Sequence, residues 1–166
     1  PGSASVLAKR IDGDCRDLGG NGLENLLLWL LQANLGASFD GSEGPFGGFI
    51  DGISNWLLQF FKDGNGEKNL LDLTTKLRNA VYEFGTPRQL LFGDVIAAVL
   101  RKKLENSTWK ALPSYSGLPR DKWLHALQKD SFIKELWPAQ HLLGQANVLK
   151  GESAIVQMPT SAGKTK

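Results

Sequence analysis

The chain has 166 residues, one cysteine, and 19 basic against 17 acidic side chains, a formal charge of +2. With 42% hydrophobic and 22% charged residues, its bulk is not disordered, and its length predicts one domain with part of a second. The near balance of charge does not advertise a nucleic-acid surface, and no apolar run reaches the roughly 18 residues of a membrane span.

Residues 1–22 are polar and end in glycines, so they read as an arm or loop. Leu23, Leu26, Leu27, Leu30 and Leu31 recur at helical spacing with Trp29 on a flank. Asn21 suits an N-cap and Gly36 a stop. Residues 36–48 hold several glycines and Pro45 and predict a loop. Ile50, Ile53, Trp56, Leu57, Phe60 and Phe61 predict a second helix, closed by the turn signal Asp63-Gly64-Asn65-Gly66. A third runs over 67–84, with the stripe Leu70, Leu73, Leu77, Val81 and Phe84. Thr86-Pro87-Arg88-Gln89 starts a fourth: an N-cap threonine, proline at the first helical position, and glutamine three residues after the cap. Leu91, Phe92, Val95, Ile96, Val99 and Leu100 form its apolar face. Arg101, Lys102 and Lys103 fall in its last turn, where cations suit the helix dipole and reach solvent.

Residues 106–119 carry Pro113, Gly117 and Pro119 and read as a linker. A shorter pattern follows in Trp123, Leu124 and Leu127, then Phe132, Ile133 and Leu136. Pro138 at a first helical position predicts a helix with Leu142, Leu143, Ala146 and Leu149 on one side and Gly151 at its end. Residues 153–157 predict a strand, which leads into Met158-Pro159-Thr160-Ser161-Ala162-Gly163-Lys164-Thr165. A strand feeding a Gly-Lys-Thr loop suits phosphate binding: backbone N–H groups cradle the phosphates, the lysine reaches the β and γ phosphates, and the threonine hydroxyl holds magnesium. The strict pattern places a glycine where Met158 stands, so the match is incomplete.

This segment resembles motif I of superfamily 2 helicases of the DExD/H-box, DExH-like kind. Leu136-Trp137-Pro138-Ala139-Gln140 is similar to the Leu-x-Pro-x-Gln segment that precedes motif I in that family, and Gln140 lies 24 positions before Lys164. The resemblance covers about 136–166. The helical periods predict a mainly α chain with a helical module over 1–130, and the resemblance implies that this module is accessory and that 131–166 supplies the first helix, strand and P-loop of a RecA-like domain. It implies ATP and Mg2+ as cofactors. Lys164 and Thr165 would be the catalytic pair, and Thr165 the magnesium ligand. Gln140 would read adenine, and Thr160, Ser161, Ala162 and Gly163 would complete the nucleotide site. The acidic DExH motif, the later arginines and a second RecA-like domain do not occur in these 166 residues. The chain therefore reads as the N-terminal piece of a longer ATP-dependent helicase or translocase acting on nucleic acid, DNA or RNA.

The competing expectation is a helical docking module for a protein partner, as in a bacterial defence helicase. Other chemistry fares worse. Asp12-Gly13-Asp14 and Asp63-Gly64-Asn65-Gly66-Glu67 lack the glycine and glutamate that an EF-hand needs at its sixth and twelfth positions. His125 and His141 are too far apart, and too short of companions, for a zinc pattern. Arg101-Lys102-Lys103 reads as a solvated helix end before a nucleic-acid patch. Cys15 forms no internal disulfide, which fits a reducing cytoplasm, or a nucleus in a eukaryote.

Overall fold

A computed structural model describes residues 22–32, 35, 44–129 and 131–157. The described residues are mainly helical: α1 (Gly22–Leu31), α2 (Gly47–Asp63), α3 (Glu67–Phe84), α4 (Pro87–Asn106), α5 (Thr108–Ser116), α6 (Arg120–Leu127) and α7 (Pro138–Gln145), then a 3-10 turn at Val148–Lys150. None of these helices is long and apolar enough to cross a membrane. The chain forms two compact units, one of Pro1–Phe60 with Asn65–Lys102, the other of Phe61–Gly64 with Lys103–Lys166. Residues 103–129, expected with the helical module, thus group with α7.

The first unit is built on the leucine, isoleucine and phenylalanine stripes of α1 to α4. Leu23, Leu26, Leu30, Ile50, Ile53, Leu57, Phe60, Leu70, Leu77, Val81, Ile96 and Leu100 are buried. Trp29, expected on a flank of α1, is buried, and Leu31 is exposed in its place. The stripe of α3 also differs from the expected one. It runs Leu70, Thr74, Leu77, Val81; Leu73 is half-buried and Phe84 is exposed. Thr74 tolerates burial because its Oγ1 donates to the Leu70 carbonyl at 2.7 Å, so the hydroxyl is satisfied within the helix.

The start of α4 follows the sequence closely. The Thr86 N–H donates to Gln89 Oε1 at 2.8 Å, and the Gln89 N–H donates to Thr86 Oγ1 at 3.4 Å, the reciprocal pair of a capping box. The Gly85-Thr86 connection turns α4 back along α3. Asp94 on α4 accepts from Arg78 Nε at 2.8 Å and from the Tyr82 hydroxyl at 2.8 Å. The residue before it, Gly93, faces Val81; a Cβ there would sit 2.6 Å from Val81 Cγ2, so glycine permits the close approach of the two helices.

The second unit has its core in Phe61, Leu104, Trp109, Ala111, Leu112, Leu127 and Leu136. Much of the expected linker at 106–119 is helix α5. The Ser107 hydroxyl accepts from the Trp109 N–H at 3.2 Å and starts it, Pro113 lies inside it, and Gly117 in the left-handed region (φ 69°) ends it. Burial of Trp109 and Leu112 offsets the hydrogen bond that Pro113 cannot donate. The Trp109 indole N–H donates to the Phe61 carbonyl at 3.1 Å, and Arg120 stacks over that indole while donating to the Asp63 carbonyl at 2.7 Å. Lys103 is not a solvent lysine: its Nζ meets Glu135 Oε2 at 2.6 Å, with its side chain 10% exposed.

Residues 153–157 form no strand, and all five are exposed, Ile155 fully so. A parallel strand is stable only when neighbours take up its backbone groups and cover its faces, and among the described residues no strand is present to do so.

Candidate functional site

Leu136 is the anchor on which the start of α7 depends. It is buried, and its N–H donates to the Asn106 carbonyl at 2.8 Å. Beside it, Ser107 and Glu135 form an antiparallel bridge, and Thr108 Oγ1 donates to the Ile133 carbonyl at 3.0 Å. These bonds fix the segment before the helix. Trp137 is extended (φ −79°, ψ 158°), as a residue before proline must be, and Pro138 follows at the first helical position.

Gln140 is the third helical residue. Its Oε1 accepts the Trp137 N–H at 2.8 Å, so the side chain folds back over the helix start. This is half of a capping box; tryptophan offers no side-chain acceptor for the other half, and the Gln140 N–H donates to the Trp137 carbonyl at 2.9 Å instead. The cap fixes the rotamer of Gln140. Among the described residues its Nε2 meets no acceptor, and Oε1 keeps a second lone pair. The Trp137 ring beside it is half exposed. Such an amide can meet a partner that presents a donor and an acceptor side by side. Thr160, Ser161, Ala162, Gly163, Lys164 and Thr165 lie outside the described residues.

Helix α7 is shorter than its apolar pattern suggests. It ends at Gln145, and Asn147 takes a left-handed conformation (φ 58°) before the 3-10 turn; Gly151 closes that turn, not the helix. Leu142 is 64% exposed and Leu149 41%, while Leu143 is half-buried, so the expected apolar side is covered only in part. Its one buried residue is Gly144. A Cβ on Gly144 would run into the ring of Tyr115. The Tyr115 hydroxyl hydrogen-bonds His141 Nδ1 at 2.8 Å, and the two rings meet edge to face at 5.8 Å. His141 Nε2 is buried with no hydrogen-bond partner among the described residues.

This pair escapes a reading of the sequence. Tyr115 sits in a stretch that reads as linker, and His141 draws attention only as a zinc ligand. A glycine at 144, inside a helical pattern, is the one local sign that another ring comes close. Among the described residues, no group of three His, Cys, Asp or Glu side chains is placed to hold a metal. Lys134 serves structure: its Nζ donates to the carbonyls of Leu127 at 3.4 Å and Lys129 at 3.1 Å, at the end of α6.

Comparison with protein-family models, with curated proteins and with solved structures gave no match.

Proposed function

We propose that this chain is part of an ATP-dependent nucleic-acid helicase or translocase of superfamily 2, with ATP held through Gln140 and the loop 160–165. The observation that supports the reading is the placement of Gln140. It stands at the third position of a helix that begins at Pro138, with its rotamer fixed by the Trp137 N–H. The order of the sequence also fits: a helix, a turn closed at Gly151, the apolar residues Ala154, Ile155 and Val156, then Gly163-Lys164-Thr165.

In this reading Gln140 distinguishes adenine from guanine, because its amide donates to one edge atom and accepts from the next. Lys164 would neutralise the β and γ phosphates, and the Thr165 hydroxyl would hold the magnesium ion. The backbone N–H groups of Ser161, Ala162 and Gly163 would bind phosphate oxygens. Bound magnesium would supply charge neutralisation at the transferring phosphate. The helical unit of α1 to α4 would be an accessory module.

The test is nucleic-acid-stimulated phosphate release by the complete gene product. Lys164→Ala is expected to abolish it. Gln140→Ala is expected to keep hydrolysis and relax the preference for ATP over GTP, since one oriented base contact is worth about 1–3 kcal/mol. Full stimulated activity in Lys164→Ala would refute the proposal.

A further inference from the structure

The geometry points to Tyr115 as a positioning residue for Gln140, acting from α5 through His141 and Gly144. The inference rests on the adenine-reading role proposed for Gln140 and adds to it the group that sets where that amide stands.

Helix α7 has eight residues and buries one of them, Gly144. Its leucines hold it only in part: Leu143 is half-buried and Leu142 is 64% exposed. The Tyr115 ring adds a hold on the body of the helix. It lies against Gly144, where no side chain would fit, and it packs edge to face on His141. Its hydroxyl bonds His141 Nδ1 at 2.8 Å. His141 directly follows Gln140 in the first turn, so a bond to its ring sets the rotation of that turn about the helix axis. The Trp137 N–H then fixes the Gln140 rotamer relative to the turn. Two bonds in series, Tyr115 to His141 and Trp137 to Gln140, thus place one amide.

The hydroxyl is the critical atom. His141 Nε2 is already buried without a partner among the described residues. Tyr115→Phe would leave both ring nitrogens without one, and the imidazole would rotate to find water, because unpaired buried polar atoms are costly. The turn carrying Gln140 would follow it. A glutamine displaced by a fraction of an ångström still caps the helix, but no longer meets both atoms of the adenine edge.

The experiment is a comparison of ATP and GTP as substrates for the complete gene product, with KM and kcat measured for each. Tyr115→Phe is expected to raise KM for ATP about threefold to tenfold and to leave KM for GTP and both kcat values near wild type. His141→Asn keeps an acceptor close to the Nδ1 position and is expected to retain most of the preference for ATP. In a Gln140→Ala background, Tyr115→Phe is expected to have no further effect on the ATP-to-GTP ratio, since its whole influence passes through that side chain. Equal losses for ATP and GTP in Tyr115→Phe would overturn the inference, as would an undiminished effect in the Gln140→Ala background. If Gln140→Ala itself leaves the ratio unchanged, the adenine-reading role falls first and the positioning role falls with it. If Gln140→Ala relaxes the ratio while Tyr115→Phe does not, only the positioning role is refuted.

Discussion

Replacing Lys103 by alanine tests the packing of the second unit at its most exposed assumption, that a lysine in a run of three basic residues is structural. The Lys103 Nζ and Glu135 Oε2 are 2.6 Å apart, with the side chains 10% and 30% exposed. Removing one partner of a fully buried pair costs about 3–5 kcal/mol, because the other charge is left without compensation. Glu135 keeps partial access to water and can rehydrate, so the cost should fall to that of a charge-assisted hydrogen bond, about 1.5–3 kcal/mol. For a chain of this size each kcal/mol lowers the melting midpoint by roughly 2–4 °C, which places the midpoint change for a central value of ~2 kcal/mol at about 4–8 °C. The assay is a thermal melt of the 166-residue chain followed by circular dichroism. The internal standard is Lys76→Ala, which removes a pair with Asp72 whose side chains are 61% and 59% exposed; that change should cost about 0–1 kcal/mol. Added salt should erase the effect of Lys76→Ala and leave most of that of Lys103→Ala. If the two variants melt together, Lys103 is in solvent and the pair contributes nothing.

Two further outcomes concern the first unit. Leu77 is fully buried in the middle of the α3 stripe, so Leu77→Ala should destabilise by about 2–5 kcal/mol, read as a drop in the same melting midpoint; an unmoved midpoint would show that the stripe faces no core. The Asp94 carboxyl is held below the usual carboxylate range by the Tyr82 hydroxyl first and by Arg78 second. A depressed folded-state value means that its contribution is present above the unfolded value, about 4, and is lost as pH falls through the lower folded value. Asp94→Asn should therefore melt earlier than wild type near neutral pH, and the gap should close in strong acid; a gap that is the same at both would refute the linkage.

Helices α2, α3 and α4 were legible because local signals agree: apolar period, the Asp63-Gly64-Asn65-Gly66 turn, and the Thr86-to-Gln89 cap. What the sequence missed depends on partners far along the chain. The period of α3 continues to Phe84, but burial depends on what lies opposite, and Phe84 is exposed. Helix α5 was hidden by Pro113 and Gly117, both read as breakers; Ser107 before Trp109, Ala111 and Leu112 was the overlooked start signal. Lys103 looked solvated because its partner is 32 positions away. At the candidate site, the Pro138 start and the place of Gln140 were readable, because proline and a capping glutamine act locally. The Tyr115–His141 contact was not, since it joins residues 26 apart across two helices.

The split make-up of the second unit has a consequence for the order of folding. Phe61 and Asp63 must meet Trp109 and Arg120, partners 48 and 57 positions away. Closing a loop of that length from a free coil costs conformational entropy before any contact repays it. The intervening α3 and α4, by contrast, are joined by two residues and make their contacts at short range. Their early pairing takes most of that loop out of the random ensemble. Fast collapse of the α3–α4 hairpin should thus precede consolidation around Trp109, and a cavity at Leu77 should delay burial of that indole.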